Sequence, residues 1–226
     1  DEKERTAFMV ACDFGHKDVV QLLLRCSDEN IDFNARHRQG STALMLACNN
    51  GHKDVVQLLL DHSDIDLNVR ANYGWAAGWA AFMWACKNGH KDIVKLLLDH
   101  SERIDLNATT TVGSTAFMLS CYKGHKDVVQ LILAYSDRNI DLNASNDNGS
   151  TAFTWACQFG HKDVVKLLLK HLDQNIELNA RSSAEWTSFL LENVDTSILI
   201  QCLLVSEPWK ELAETVLIKR WKGKMF

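Results

Sequence analysis

The chain has 226 residues, of which 46% are hydrophobic and 23% are charged, and its formal net charge is −5 at pH 7. This composition is too apolar for an intrinsically disordered protein, and the acidic balance argues against a nucleic-acid-binding protein. The sequence contains no apolar run of about eighteen residues, which excludes a membrane-spanning helix. Two counts are unusual for a chain of this size, namely a single proline, Pro208, and seven cysteines.

One phrase, Gly-His-Lys-Asp, occurs five times along the chain. Its copies start at Gly15, Gly51, Gly89, Gly124 and Gly160, at intervals of 36, 38, 35 and 36 residues. An aliphatic block such as VVQLLL follows each copy, and a block such as TAFMVAC precedes it. A regular spacing of this kind is typical of repeat proteins, in which neighbouring units stack and bury a continuous core.

Each unit predicts two short helices joined by a turn. In four units a threonine stands where the N-cap of the first helix belongs. These threonines are Thr6, Thr42, Thr115 and Thr151. The glycine of each Gly-His pair falls where this helix ends, in a left-handed conformation that glycine tolerates best. The aspartate of Lys-Asp then lies in the first turn of the second helix, where the helix dipole favours a negative charge.

In this register the chain resembles the ankyrin repeat family. The family pattern is Gly-x-Thr-Pro-Leu-His-x-Ala-Ala, then Gly-His, a Val-Val-x-x-Leu-Leu block and Asp-Val-Asn-Ala, and five units from Thr6 to Ala180 approximate it. The resemblance implies an all-α solenoid of stacked helix-turn-helix units with loop fingers. The family's Pro-Leu-His reads Ala-Phe-Met or a close variant in this chain. The family's Thr–His hydrogen bond is therefore missing, and we expect methionine to fill the space of the histidine side chain. These methionines are Met9, Met45, Met83 and Met118.

Five of the seven cysteines occupy one repeat position, where the family has a small buried alanine. They are Cys12, Cys48, Cys86, Cys121 and Cys157. Equivalent positions in a stack lie about 10 Å apart, whereas a disulfide needs Cα atoms within about 7 Å of each other. We therefore expect reduced packing residues in an intracellular protein, cytoplasmic or nuclear. The histidines of the Gly-His pairs are equally spread along the stack, which favours a structural role over a metal site.

The loop before the first helix of the third unit is longer than the other loops. It spans ten positions from Asn68 to Gly78, against six from Asn34 to Gly40, because Gly-Trp-Ala-Ala is written twice. The loop carries Tyr73, Trp75 and Trp79, which we expect at or near the surface, where aromatic side chains often anchor protein interfaces. Alternatively, the tryptophans fold back on the neighbouring loop.

Other partner contacts are expected where the resemblance implies them, at loop tips and on the exposed side of the first helices. At these positions the chain carries Arg36, His37, Arg38, Lys87, Asn88, Tyr122, Lys123 and Phe159. Trp84 and Trp155 lie inside first helices, and we expect them in the core.

After Ala180 the repeat pattern decays. We expect residues 1–180 to form five repeats, the first without its loop. Residues 181–226 are expected to add a degenerate capping repeat, a terminal helix that starts near Pro208 and a basic tail, within the same solenoid domain. The alignment of the repeats also explains why the chain has a single proline, because the family's repeated Thr-Pro reads Thr-Ala or Ala-Ala in this chain.

These features predict a non-catalytic protein–protein interaction module or scaffold, with the extended loop 69–79 at the centre of its binding surface. Nucleophile-elbow, phosphate-loop and metal-ligand motifs are absent from the sequence, so we expect no enzyme activity, cofactor or metal. The expected partner is a protein, the expected state is a monomer, and neither nucleic-acid binding nor integral membrane association is expected. One alternative is a substrate-recognition subunit of a ubiquitin ligase or similar complex, recruited through the C-terminal segment. A more distant alternative is an enzyme with its site at the aromatic loop or the concave face.

Overall fold

A computed structural model describes residues 5–26, 31–72, 78–135, 137 and 139–171, together with Glu214, Leu217, Ile218 and Trp221. Between residues 5 and 171 these form ten α-helices, two for each of five repeats. The helices are α1 (Ala7–Asp13), α2 (Lys17–Arg25), α3 (Ala43–Asn50), α4 (Lys53–Leu60), α5 (Ala81–Asn88), α6 (Lys91–Asp99), α7 (Ala116–Lys123), α8 (Lys126–Ala134), α9 (Ala152–Gln158) and α10 (Lys162–Lys170). The predicted all-α solenoid of helix-turn-helix units is confirmed.

The helices form two rows. The first helices of successive repeats pack on one another in the order α1, α3, α5, α7, α9, which we call the inner row. The second helices pack in the order α2, α4, α6, α8, α10, which we call the outer row. The two helices of each repeat also pack together, so that a single hydrophobic core runs between the rows. Each repeat thereby shares its core with its neighbours, as expected for a solenoid.

The helix starts follow the repeated threonine. In α3 the Thr42 hydroxyl accepts a hydrogen bond of 3.4 Å from the backbone N–H of Met45, and the threonines before α1, α7 and α9 cap their helices in the same way. This bond satisfies one of the backbone donors that a helix start leaves unpaired. The exception is α5, which starts after Ala80 and has no side-chain cap.

Methionine and cysteine fill the core at their two repeat positions, as predicted. The four repeated methionines, Met9, Met45, Met83 and Met118, are at most 2% exposed. The five repeated cysteines are free thiols that are buried to a similar degree. Burial raises the pKa of the Cys12 thiol to about 12 and also raises the pKa values of the other four thiols well above their usual range. These thiols therefore stay protonated near neutral pH and act as packing residues.

The Gly-His pairs connect each repeat to the one before it. All five glycines have φ between +70° and +79°. In repeats two to five, the histidine Nε2 donates a hydrogen bond to a backbone carbonyl near the end of the preceding inner helix. The four pairs are His52 to Asp13 (2.9 Å), His90 to Asn49 (3.0 Å), His125 to Lys87 (2.8 Å) and His161 to Tyr122 (2.7 Å). The structural role predicted for these histidines is confirmed at these four positions.

A second set of inter-repeat bonds comes from the asparagine of the Asp-Leu-Asn or Asp-Phe-Asn phrase. Asn34 donates from Nδ2 to the carbonyl of Asp64 (2.7 Å), and its Oδ1 accepts from the N–H of Asp66 (2.8 Å). Asn68 and Asn107 make the same pair of bonds to the following repeat. Each amide thus satisfies one donor and one acceptor of the neighbouring loop. The phrase occurs in four repeats and reads Glu-Leu-Asn in the fifth, but the cross-repeat role of its asparagine was not predicted.

The C-terminal predictions fall mostly on undescribed residues. Pro208 and nearly all of residues 181–226 lie outside the described part of the chain. Of the predicted terminal helix, Glu214, Leu217, Ile218 and Trp221 are described, and all four are helical. Leu217 packs against the hydrophobic core, whereas Trp221 is 64% exposed.

Candidate functional site

The variable side chains of the inner row lie at its last helical turn, directly after the repeated cysteine. The first position after the cysteine holds Asp13, Asn49, Lys87, Tyr122 and Gln158 in the five repeats, and the second holds Phe14, Asn50, Asn88, Lys123 and Phe159. None of these ten side chains is fully buried. In repeats three to five they combine with nearby tryptophans into what we call the aromatic–lysine surface. It consists of Trp79, Trp84, Lys87, Tyr122, Lys123, Trp155 and Phe159.

Lys87 lies over two tryptophan rings in the third repeat. The rings of Trp79 and Trp84 have centroids 4.6 Å apart, and the Lys87 Nζ lies 4.8 Å and 5.1 Å from them. These distances are within the range of cation–π attraction. Burial lowers the pKa of Lys87, and the positive charge of Lys123 lowers it further. The expectation that Trp84 is a core residue is confirmed, since it is 8% exposed.

The expectation that Trp79 lies at or near the surface is wrong. Its side chain is 7% exposed, because it packs on Trp84 of α5 and under the ammonium group of Lys87. Trp79 stands directly before the start of α5, at the position that Ser41 occupies in the second repeat. A serine at this position has no ring to bury, whereas the indole reaches the first turns of the helix.

The four extra residues of the third loop lie beyond an unchanged base. In the second repeat, His37 N–H bonds to the Ser41 carbonyl (3.1 Å) and Gly40 N–H to the His37 carbonyl (2.7 Å). In the third repeat, Ala71 N–H bonds to the Trp79 carbonyl (2.9 Å) and Gly78 N–H to the Ala71 carbonyl (2.6 Å). Residues 72–77 therefore replace the two residues 38–39. Tyr73 and Trp75, predicted as interface anchors, lie outside the described residues.

The structure also corrects the placement of His37, which was expected at a partner-facing loop position. His37 is 6% exposed, and its Nδ1 accepts a hydrogen bond from the N–H of Gln39 (2.8 Å). Thr110 and Asn146 occupy the same register and also accept backbone N–H bonds of their own loops. The position thus closes the loop internally, as short polar side chains commonly do in turns. Their common register, three residues before the loop glycine, was the sequence signal for this role.

The neighbours of His37 remain accessible. Arg36 and Arg38 are both exposed on the second loop. Asn88 is half-buried, and its Nδ2 donates to the carbonyl and to the Oδ1 of Asn49, both at 2.9 Å. Asn88 therefore ties the third repeat to the second, besides its expected place on the inner surface.

Three aromatic rings meet in the fourth and fifth repeats. The Tyr122 ring contacts Phe159 edge-on at a centroid distance of 4.5 Å and Trp155 at 5.4 Å. The Lys123 Nζ lies 4.8 Å from the centroid of the Tyr122 ring. Phe159 is 45% exposed, and Trp155 is half-buried against the core, so that it is only partly the core residue expected. Exposed aromatic area next to a fixed cation is characteristic of interface anchors.

The described residues offer no further chemical centre. Among them, no three His, Cys, Asp or Glu side chains are close enough together to hold a metal ion. No helix in the described part of the chain is both long enough and apolar enough to cross a bilayer. The aromatic–lysine surface can bind by apolar burial and by charge, and these are the properties of a docking surface.

Comparison with known proteins identifies the family. The model described as ankyrin repeats (3 copies) matches residues 1–71 and 82–182, and the model described as ankyrin repeats (many copies) matches residues 46–98. The first match covers well over half of the chain, which therefore belongs to the ankyrin repeat family. No curated protein matches the chain. Ankyrin repeats are generally protein–protein interaction modules and are typically non-enzymatic.

The first family match is interrupted between residues 71 and 82. This interval contains the duplicated Gly-Trp-Ala-Ala phrase, including Trp79 and Ala80 at the start of α5. The interruption therefore coincides with the segment in which the third repeat differs most from the other four.

Proposed function

We propose that this chain is a protein-binding module whose binding site is the aromatic–lysine surface of repeats three to five. The observation that carries the proposal is that aromatic and lysine side chains form two contacting clusters, around Lys87 and around Tyr122, at the ends of three consecutive inner helices. At the equivalent positions the first two repeats have Asp13, Phe14, Asn49 and Asn50, which include one exposed ring, that of Phe14, but no lysine, and Asn50 bonds to Asp13.

The exposed aromatic area of the surface supports a substantial contribution to affinity. Phe159 is 45% exposed and its ring is held in place by Tyr122, so little conformational entropy remains to be lost on binding. Truncating an aromatic hot spot of an interface costs at least about 2 kcal/mol, which corresponds to about a 30-fold weaker complex. We expect a loss of this size when Tyr122 and Phe159 are both replaced by alanine.

The extended loop 69–79 is proposed to border this site. Its base is anchored by the hydrogen bonds between Ala71 and the Gly78–Trp79 segment, directly before α5. Tyr73 and Trp75 are proposed to contact the same partner from this loop. Arg36 and Arg38 of the preceding loop are exposed, and we propose that they add positive charge to the binding surface.

The buried free thiols support a reducing compartment, and we propose that the protein acts as a monomer in the cytoplasm or nucleus. The ubiquitin-ligase alternative depends on recruitment through residues 185–226, and no observation in the described part of the chain favours it.

The experiment is affinity capture from cell extract followed by direct binding of the captured partner. The intact chain is compared with Tyr122→Ala/Phe159→Ala and with Phe14→Ala. Phe14 is the matched control, because Phe14 and Phe159 both stand at the C-cap of an inner helix and both are exposed. We expect the double variant to weaken binding about 30-fold or more and the control to bind like the parent chain. Equal binding by all three proteins would contradict the proposed site.

A further inference from the structure

We infer that the preferred partner of the aromatic–lysine surface is an acidic protein segment that carries an aromatic or large aliphatic side chain. Its carboxylates are bound by Lys87 and Lys123, and its apolar side chain packs against Tyr122 and Phe159. This inference rests on the proposed function and adds the chemistry of the partner to it.

The first argument is that the inner helices of repeats three to five carry positive charge without any negative charge beside it in the same helix. Helices α5, α7 and α9 contain no aspartate or glutamate, and Lys87 and Lys123 are their only residues with a charge at neutral pH. The outer helices of the same repeats carry charges of both signs, since each begins with a lysine that is followed by an aspartate. The inner row of these repeats is thus locally positive in a chain whose formal net charge is −5. Local charge of this kind selects and orients partners of opposite sign.

The second argument is the placement of the two ammonium groups. Each Nζ lies about 5 Å from the centroid of an aromatic ring, at 4.8 Å and 5.1 Å for Lys87 and 4.8 Å for Lys123. A lysine held over a ring has lost part of its rotamer freedom before a partner arrives, so binding costs less entropy. The charge of Lys123 also lowers the pKa of Lys87, which indicates that the two ammonium groups repel each other. A carboxylate placed near both groups relieves this repulsion.

The third argument is the neighbouring apolar area. Phe159 follows Lys123 by one repeat at the equivalent helix position, and its exposed ring contacts that of Tyr122. Successive inner helices lie about 10 Å apart, which an extended segment covers in about three residues. A segment that runs along the stack therefore meets charge and then aromatic surface at this spacing.

Single-stranded nucleic acid also combines negative charge with flat apolar groups. The structure favours a protein segment, because two lysines on a chain of net charge −5 give a polyanion little electrostatic attraction. Binding of single-stranded nucleic acid is therefore tested as the competing outcome.

The experiment selects binders for the intact chain from a random twelve-residue peptide display library. The same selection is run on Lys87→Gln/Lys123→Gln and on the control Lys91→Gln/Lys126→Gln, which removes two exposed lysines from the outer row. We expect peptides selected by the parent chain to be enriched in Asp or Glu together with Phe, Tyr, Trp or Leu. The inner-row variant should lose the acidic enrichment and bind the best such peptide about fivefold more weakly, while the control keeps both.

The outcomes separate this inference from the proposed function. Selected peptides without acidic enrichment whose binding is lost in Tyr122→Ala/Phe159→Ala would leave the binding site in place and overturn the acidic-partner inference. Acidic enrichment that persists in Lys87→Gln/Lys123→Gln would also overturn the acidic-partner inference. The same holds if no peptide is enriched and a labelled oligouridylate binds in a way that depends on Lys87 and Lys123. Failure to select any peptide would contradict both proposals.

Discussion

The histidine bonds between repeats predict that His125→Ala destabilises the stack. His125 donates from Nε2 to the carbonyl of Lys87 at 2.8 Å, across the boundary between the third and fourth repeats. The alanine variant leaves this partly buried carbonyl without its donor. Loss of one partner of such a bond costs about 1–3 kcal/mol, and because His125 is only half-buried, we expect about 1–2 kcal/mol.

The first repeat supplies a matched control for this prediction. His16 lies in the same Gly-His-Lys-Asp phrase and is also the N-cap of its helix, but it is exposed, and among the described residues no repeat precedes it. We expect His16→Ala to change the free energy of unfolding by less than about 0.5 kcal/mol.

The assay is equilibrium urea unfolding at pH 7.5, followed by circular dichroism at 222 nm and analysed with a common slope. The decisive quantity is the difference in unfolding free energy between His125→Ala and His16→Ala. Equal effects of the two substitutions would show that the histidine acts within its own turn and that the bond to the preceding repeat contributes nothing.

Three further predictions concern the glycine turns, the buried thiols and the missing helix cap. Gly89→Ala should destabilise the fold by more than Gly160→Ala in the same unfolding assay. Both glycines have positive φ, but an added Cβ at Gly89 would lie 2.6 Å from an imidazole nitrogen, whereas at Gly160 it would meet none of the described residues within 4 Å. Equal losses would contradict this. Each buried thiol has a raised pKa, so it contributes to the free energy of unfolding, and this contribution is fully present below about pH 9. The contribution falls as the pH rises toward the folded-state pKa, by up to about 1.4 kcal/mol per pH unit for each thiol. Cys48→Ala should therefore lose less stability than the parent between pH 8 and pH 10, and an unchanged slope would refute the linkage. Ala80→Thr should stabilise the protein by about 1 kcal/mol, because it supplies the helix cap that α5 lacks. Thermal unfolding measures this gain, and a lowered Tm would show that the threonine does not fit beside Trp79.

The parts of the fold that could be predicted from the sequence are those written in every repeat. A threonine stands at four of five first-helix starts because it caps the helix, and a glycine stands at all five turns because the turn needs a positive φ. Repetition at the same position in four or five units shows that these residues are not coincidental. The buried methionines and cysteines were predictable for the same reason, since one position serves one role throughout a stack.

The site residues were harder to predict because exposure depends on what lies beside a residue in space. His37 and Arg38 are adjacent in the sequence, yet one closes its loop and the other is exposed. Trp79 was misplaced because the duplication puts an indole where repeats two, four and five have serine, and its packing partner Trp84 lies in the following helix. The aromatic–lysine surface joins residues more than thirty positions apart, whose proximity follows only from the stacking of three repeats.

The most direct test of the binding surface is a chemical-shift map of the intact ¹⁵N-labelled chain, titrated with a peptide enriched by the parent chain. We predict shifts at the indole N–H groups of Trp84 and Trp155 and at the backbone amides of Lys87, Tyr122 and Phe159, with small changes throughout α6, α8 and α10. Shifts confined to the outer row, or to the loops with no change in the inner helices, would contradict the assignment of the aromatic–lysine surface as the binding site.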